Sequence, residues 1–244
     1  GSGAAVSELG SIAQQSGIPV SLHGTGGAWM VVGEQANLER LESCVLHSLD
    51  RKVCNTLNVV AVIRHHASVH VPIILKAAES AAAARGTRPR VHAIQGAEAF
   101  FANGAHISVR RPEGETNEPQ VSVASVESLG TEYEWEENPE FAIVLVENVD
   151  EAIELFNEYS PQFIVSVISE DEAEQQQVWA GTNAPFFGDG FTRWVDGQYA
   201  LNRPELGLSN WQGGRLLARG GVLSGDGVHT VRLRVHQTNT NVRR

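Results

Sequence analysis

The stretches FAIVLV (141–146), DEAIELFNEY (150–159), FIVSVI (163–168) and EDEAEQQQVWA (170–180) follow one another and read strand, helix, strand, helix. Both strand stretches are continuous Val- and Ile-rich runs, the pattern of strands buried on two faces. A strand, a covering helix and a second strand in that order make a parallel pair joined by a crossover. The expected fold class is therefore α/β, a largely parallel sheet with helices on both faces.

Working outward, Val59 to Ile63 is another β-branched run, expected as a buried strand. Before it, Asn37 to Asp50 carries Leu38, Leu41, Cys44, Val45 and Leu49 as one apolar stripe of a helix. Short strands are expected at Pro19 to Leu22 and Trp29 to Val32, with a glycine loop, Gly24 to Gly27, between them. Ala4 to Gln15 has Val6, Leu9, Ile12 and Ala13 at helical spacing, and Ile73 to Arg85 is an Ala-rich helix stopped by Gly86. Val91 to Ile94 and His106 to Val109 read as strands, and Arg111 to Gln120, with its two prolines, reads as a loop. Phe186 to Gly227 reads as a loop-dominated return, and Val231 to Val235 as a late strand.

With 244 residues, 42% hydrophobic and 19% charged, the chain can bury a core without staples, as one large domain or two small ones. Its two cysteines, Cys44 and Cys54, are no disulfide framework, so a reducing compartment, the cytoplasm, is expected. A net charge of −11 argues against nucleic acid as a partner, and Arg232, Arg234, Arg243 and Arg244 are too dispersed to reverse it. No apolar run approaches the roughly 20 residues that span a bilayer, and no signal-peptide pattern opens the sequence. The sequence starts at Gly1 and its only methionine is Met30, so a cut or processed piece is expected.

Cys54 is the candidate nucleophile. A thiolate attacks carbonyls, and Arg51 and Lys52 place positive charge close to it in sequence. Asn55 to Asn58 is expected to open a short helix whose N–H groups would favour the anion, and the N–H of Cys54 would help hold an oxyanion. The plainer reading is a small buried hydrophobe. Cys44 sits on the apolar helix stripe and is expected in the core. Thr192 and Arg193 are candidates for holding a substrate carboxylate or phosphate, Arg offering a planar fork, with a surface salt bridge as the alternative. His66 and His70 have the spacing of ligands on one helix face, joined by His65, but no third ligand is evident and no metal is expected. The Gly24 to Gly27 loop lacks both GxGxxG spacing and a Walker lysine.

The run Asp50-Arg51-Lys52-Val53-Cys54-Asn55-Thr56-Leu57 resembles the nucleophile segment of the γ-glutamyl phosphate reductases, members of the aldehyde dehydrogenase superfamily, whose usual run is Arg-Pro-Gly-Val-Cys-Asn-Ala-Leu-Glu. Further short matches keep the family's order: Ser16-Gly17-Ile18-Pro19-Val20, Gln35-Ala36-Asn37-Leu38-Glu39, Val149 to Glu154, Ile168-Ser169-Glu170-Asp171, Thr192-Arg193-Trp194, Leu206-Gly207-Leu208-Ser209 and Leu217-Ala218-Arg219-Gly220. The departures are Leu22-His23-Gly24 for the family's Glu-Thr-Gly, Gly27-Ala28-Trp29 for Asn-Cys-His, and Arg51-Lys52 for Pro-Gly. Gln120 to Glu140 has no clean match.

The resemblance implies an aldehyde-dehydrogenase-like catalytic domain at 18–220. Residues 1–17 would lead out of a nucleotide-binding half absent from the chain, and 221–244 would form a C-terminal strand and tail for oligomerisation. It implies NADP-dependent reduction of γ-glutamyl phosphate to glutamate 5-semialdehyde, a step of proline biosynthesis. Cys54 would carry the acyl group, Asn55, Thr192 and Arg193 would hold the small-molecule substrate, and the full-length protein would be a homo-oligomer. Glu137, or Glu136 beside it, would be the acidic residue that contacts the nicotinamide ribose. The run Glu134 to Glu137 also reads as a solvated acidic loop. Another aldehyde or acyl oxidoreductase on the same scaffold, or a non-catalytic structural subunit, are the alternatives.

Overall fold

The computed structural model describes residues 3–18, 25–101 and 104–195, together with four two-residue strands between 205 and 224. The strands expected at 19–22 and 231–235, and the segment 225–244, lie outside the described residues. In chain order the main elements are α1 (Gly3–Gln15), β1 (Ala28–Val32), α2 (Leu38–Ser48), β2 (Leu57–Ile63), α3 (Ala67–Ala83), β3 (Arg90–Ile94), β4 (His106–Arg111), β5 (Gly114–Pro119), β6 (Val121–Val123), β7 (Glu140–Val146), α4 (Val149–Tyr159), β8 (Ile164–Ile168), α5 (Glu172–Gly181) and β9 (Phe186–Gly188).

Seven strands form one sheet in the order β6-β3-β7-β2-β1-β8-β9, and every pairing in it is parallel. Successive side chains of a strand point to opposite faces, so each apolar run feeds two cores. Met30, Val60 and Ile143 pack with Leu41 and Val45 of α2 and Ile74 of α3. Trp29, Val59 and Val144 pack on the other face with Ile153 and Phe156 of α4 and Val178 of α5. Moving from β1 through β2 to β3 the connections use one face. From β7 to β8 the chain moves the opposite way across the sheet and uses the other face. A constant right-handed crossover requires that exchange.

Side-chain caps start the helices. Asn37 accepts from the Arg40 N–H at 3.0 Å, Asn148 from the Glu151 N–H at 3.0 Å, and Asp171 from the Ala173 N–H at 2.8 Å. Cys44 is buried in the α2 stripe, as expected, and burial pushes its thiol up to about 11. Helix α3 begins before the expected Ile73 and carries Pro72 inside it, which gives up one helical hydrogen bond.

The expected loop at Arg111 to Gln120 is instead a hairpin. β4 and β5 pair antiparallel from His106↔Pro119 to Arg111↔Gly114. Pro112 falls in the turn and Pro119 at the end of its strand, where neither interrupts the ladder. Phe186 to Gly188, expected within a loop-dominated return, adds the seventh strand as β9.

Candidate active site

Parallel neighbours enter a sheet at the same edge, so the loops leading into β1 and β2 lie side by side. The Gly27 N–H donates to the Cys54 carbonyl at 2.7 Å, and the Ala28 N–H to the Thr56 carbonyl at 2.9 Å. Between α2 and β2 the chain makes a tight turn. The Val53 N–H donates to Thr56 Oγ1 at 2.8 Å, and that hydroxyl donates to the Arg51 carbonyl at 2.7 Å. The helix expected at Asn55 to Asn58 is not formed. Leu57 already pairs with Ala28, and the β-branched run behind it draws the segment into the sheet. No helix N-terminus therefore stabilises a Cys54 thiolate.

Cys54 is half-buried against a small cluster of Ala28, Phe163, Ile164 and Phe186. Two glycines let the neighbouring loop reach it. A Cβ at Gly26 would lie 2.6 Å from the Cys54 carbonyl oxygen, 2.8 Å from its Cα and 2.9 Å from Glu132 Oε1. Gly27 has φ +102°, a conformation open to glycine, and a Cβ there would stand 3.0 Å from Asn58 Cβ.

Thr192 and Arg193 reach the same loop from far along the chain. The Thr192 N–H donates to Ser48 Oγ at 2.8 Å and its hydroxyl donates to the Asn55 carbonyl at 2.8 Å. Arg193 Nη1 pairs with Asp50 Oδ1 and reaches the Arg51 carbonyl at 3.5 Å. Both residues are buried, as is Asn55. These contacts brace the turn that carries Cys54, and the Arg193 guanidinium is engaged with Asp50.

The acidic residue that meets the Gly26 loop and Lys52 is Glu132. Glu137 is exposed, and its carbonyl accepts from Thr87 Oγ1 at 3.0 Å. Glu132 accepts the Gly26 N–H at 2.6 Å through Oε2 and meets Lys52 Nζ at 2.5 Å through Oε1. Lys52 also lies 3.5 Å from the exposed Glu134. Asn58, buried at the start of β2, holds this strap in register. Its Nδ2 donates to the Thr131 carbonyl at 2.8 Å and its Oδ1 accepts the Tyr133 N–H at 2.9 Å. Neither Glu132 nor Asn58 is marked by local sequence. The only hint is that Lys52, beside a half-buried cysteine, needs a counter-ion.

Tyr133 ties the strap to a second polar cluster, its ring stacking on His92 at 4.1 Å between centroids. His92 Nε2 lies 2.8 Å from Glu140 Oε1, which also pairs with Arg90, while Arg111 Nη1 stands 2.9 Å from Glu140 Oε2. Burial works to raise the Glu140 pKa. Hydrogen bonds from His92 and Arg111 and the charges of Arg90 and Arg111 outweigh it and hold the carboxyl below its usual range. The Arg111 hydrogen bonds to Glu118, at 2.8 and 2.7 Å, bring that carboxyl down to about 2.

His66 and His70 stack with centroids 5.6 Å apart, and burial together with His66 lowers the His70 pKa. Among the described residues no group of three His, Cys, Asp or Glu side chains is placed to hold a metal ion. None of their helices is long and apolar enough to cross a membrane.

No family model matches the chain. Among solved structures, the γ-glutamyl phosphate reductase of Thermotoga maritima superposes with a TM-score of 0.66 at 21% identity, covering 92% of this chain and 51% of that one. A lactaldehyde dehydrogenase gives 0.60 at 15% identity, covering 93% and 50%. The chain has the aldehyde dehydrogenase fold. Its sequence is similar to curated γ-glutamyl phosphate reductases. The one from Caldanaerobacter subterraneus subsp. tengcongensis is 24% identical over 202 residues, 82% of this chain and 42% of the relative. The one from Geobacillus thermodenitrificans is 27% identical over 213 residues, 86% and 44%. The chain thus spans less than half the length of the curated relatives it matches.

Proposed function

We propose that this chain is the cysteine-bearing part of an oxidoreductase of the aldehyde dehydrogenase fold, a reductase of γ-glutamyl phosphate in proline biosynthesis that acts in the cytoplasm. The observation that carries the reading is Cys54, half-buried on a braced turn between α2 and β2, in a run that resembles the reductases' nucleophile segment. The thiolate attacks the acyl carbon, a thioester forms, and the bond to phosphate breaks with inorganic phosphate leaving. Thr192 and Arg193 serve this step by fixing the turn, and Asn55 by offering its carbonyl to Thr192.

NADP is the cofactor of this reading and, bound in its reduced form NADPH, would supply the hydride. The described residues do not fit its pyrophosphate. After β1 the chain turns at Gly33 into Glu34, and Glu174 Oε1 already accepts the Glu34 N–H at 3.0 Å. A carboxylate in that turn repels phosphate. On this reading the exposed Glu137 would be the acidic residue that meets the nicotinamide ribose.

A second reading is another aldehyde or acyl compound as substrate. It is favoured by Lys52, which adds a charge beside the nucleophile where the related reductases carry glycine. Trp29, also a departure, bears on packing instead, being fully buried edge-on to Phe156.

The test is NADPH formation by the full-length protein from glutamate 5-semialdehyde, phosphate and NADP, beside its Cys54→Ala variant. Activity is expected, with a loss of at least about a thousandfold on substitution, the order seen when a catalytic nucleophile is removed. Turnover that survives Cys54→Ala would overturn the mechanism. An inactive parent that turns over other aldehydes would favour the second reading.

A further inference from the structure

The strap at 131–133 places two opposite charges next to Cys54 that the acyl-transfer step does not itself use. Lys52 Nζ and Glu132 Oε1 are 2.5 Å apart, with side chains only 10% and 15% exposed. Glu132 Oε1 and the Cys54 Cα are both within bonding-contact range of one point, the vacant Cβ position of Gly26, at 2.9 and 2.8 Å. Glu132 is fixed there twice over, by the Gly26 N–H and by the Asn58 clamp on the flanking backbone. It would stay in place without Lys52.

We propose that Lys52 and Glu132 form a balanced charge pair that sets the reactivity of Cys54, the ammonium favouring the thiolate and the carboxylate opposing it, with Asn58 as the positioning residue that keeps the pair in register. The inference rests on the reading of Cys54 as the nucleophile. A nearby cation lowers a thiol pKa and a nearby anion raises it. One uncompensated unit charge beside a half-buried thiol changes its thiolate fraction by about threefold to tenfold. As a pair they nearly cancel. Among the described residues, the other charges about the turn are Arg51, the exposed Glu134 and the Asp50–Arg193 pair, which is internally neutral.

The pair makes an unusual demand on its single variants: they move the thiol in opposite directions. Lys52→Met leaves Glu132 uncompensated and slows Cys54. Glu132→Gln leaves Lys52 uncompensated and speeds it, with Glu134 taking back part of the effect. A merely structural role would move both the same way.

The measurement is site-resolved alkylation of the full chain by iodoacetamide across pH 6 to pH 10, read by mass spectrometry, with no substrate or cofactor present. Cys44 serves as the internal check on folding, since its buried thiol stays protected in a folded chain. The expected rates at neutral pH are about threefold to tenfold lower in Lys52→Met, about threefold higher in Glu132→Gln, and within about twofold of the parent in the double variant. The pH midpoint of alkylation moves up in the first and down in the second. Single variants that shift the rate in the same direction while Cys44 stays protected, or that both stay within about twofold of the parent, would overturn the proposal. Because no turnover is measured, a wrong substrate assignment leaves this result untouched. Cys54 reacting no faster than Cys44 in the parent would instead sink the nucleophile reading itself.

Discussion

At the scale of single residues, the site depends on what is absent as much as on what is present. Gly26 leaves room that the Cys54 backbone fills, and a methyl group there would stand 2.6 Å from its carbonyl oxygen. Gly26→Ala is expected to cost about 1–3 kcal/mol and to displace the turn. Denaturation midpoints and the alkylation rate of Cys54 check it, and a variant unchanged in both would contradict this packing. Cys54 was singled out in the sequence because the run about it resembles a known one, and the fold places it on a braced turn. The contrast with Cys44 was legible, since helical spacing alone places that residue on a buried stripe. Glu132 was not legible. Its partners Gly26 and Lys52 are 106 and 80 positions away, and no local pattern reports a contact over such separations. Glu137, expected at the nicotinamide ribose or else in a solvated acidic loop, is exposed and lies five positions after Glu132.

Among the elements, strands and helices with one strong period were readable and the connections between them were not. The Val- and Ile-rich runs became β2, β7 and β8, and the capped helices α2 and α5 start within two residues of where the sequence places them. The helix expected after Cys54 failed because Leu57 to Ile63 has a stronger claim as a buried strand than Asn55 to Asn58 has as a helix start. Asn58 then has a task that belongs to neither element. Its amide both donates to and accepts from the 131–133 backbone, as a neighbouring strand would. Asn58→Ala leaves the buried Tyr133 N–H unmatched, an expected cost of about 1–3 kcal/mol, and removes the donor to the Thr131 carbonyl. Hydrogen exchange at the Tyr133 amide is the direct readout and should accelerate by at least about tenfold. Protection equal to the parent's would mean that the clamp does not hold the strap.

For the whole molecule, the alternation of elements is enough to predict a parallel sheet covered on both faces, and that is the architecture found. It does not predict where the site lies. Ligands of open α/β sheets usually gather at the carboxyl ends of the strands, whereas Cys54, Gly26 and Glu132 gather at the amino ends of β1 and β2. The polar cluster that Tyr133 joins to the strap is acid-sensitive. Glu118 is depressed from 4.5 to about 2 by its hydrogen bonds from Arg111, so it binds protons more weakly folded than unfolded. Its contribution to stability is fully present above its unfolded pKa and is lost as pH falls from about 4.5 through about 2. Urea midpoints should fall across that window, and Glu118→Gln should flatten the decline. An acid limb as steep in the variant would assign the effect to other carboxylates. The brace on the Cys54 turn has a consequence of a different kind. Thr192 lies 144 positions after Ser48 and 137 after Asn55. A ribosome adds residues one at a time from the amino end, so the thiol leaves the exit tunnel long before the segment that ties it down has been translated. The nascent polypeptide can lay down most of its sheet, yet the turn stays untied until the sequence past Arg193 emerges. The turn at Cys54 is thus fixed late in synthesis, and a message broken off before that codon yields the seven sheet strands with this turn still untied.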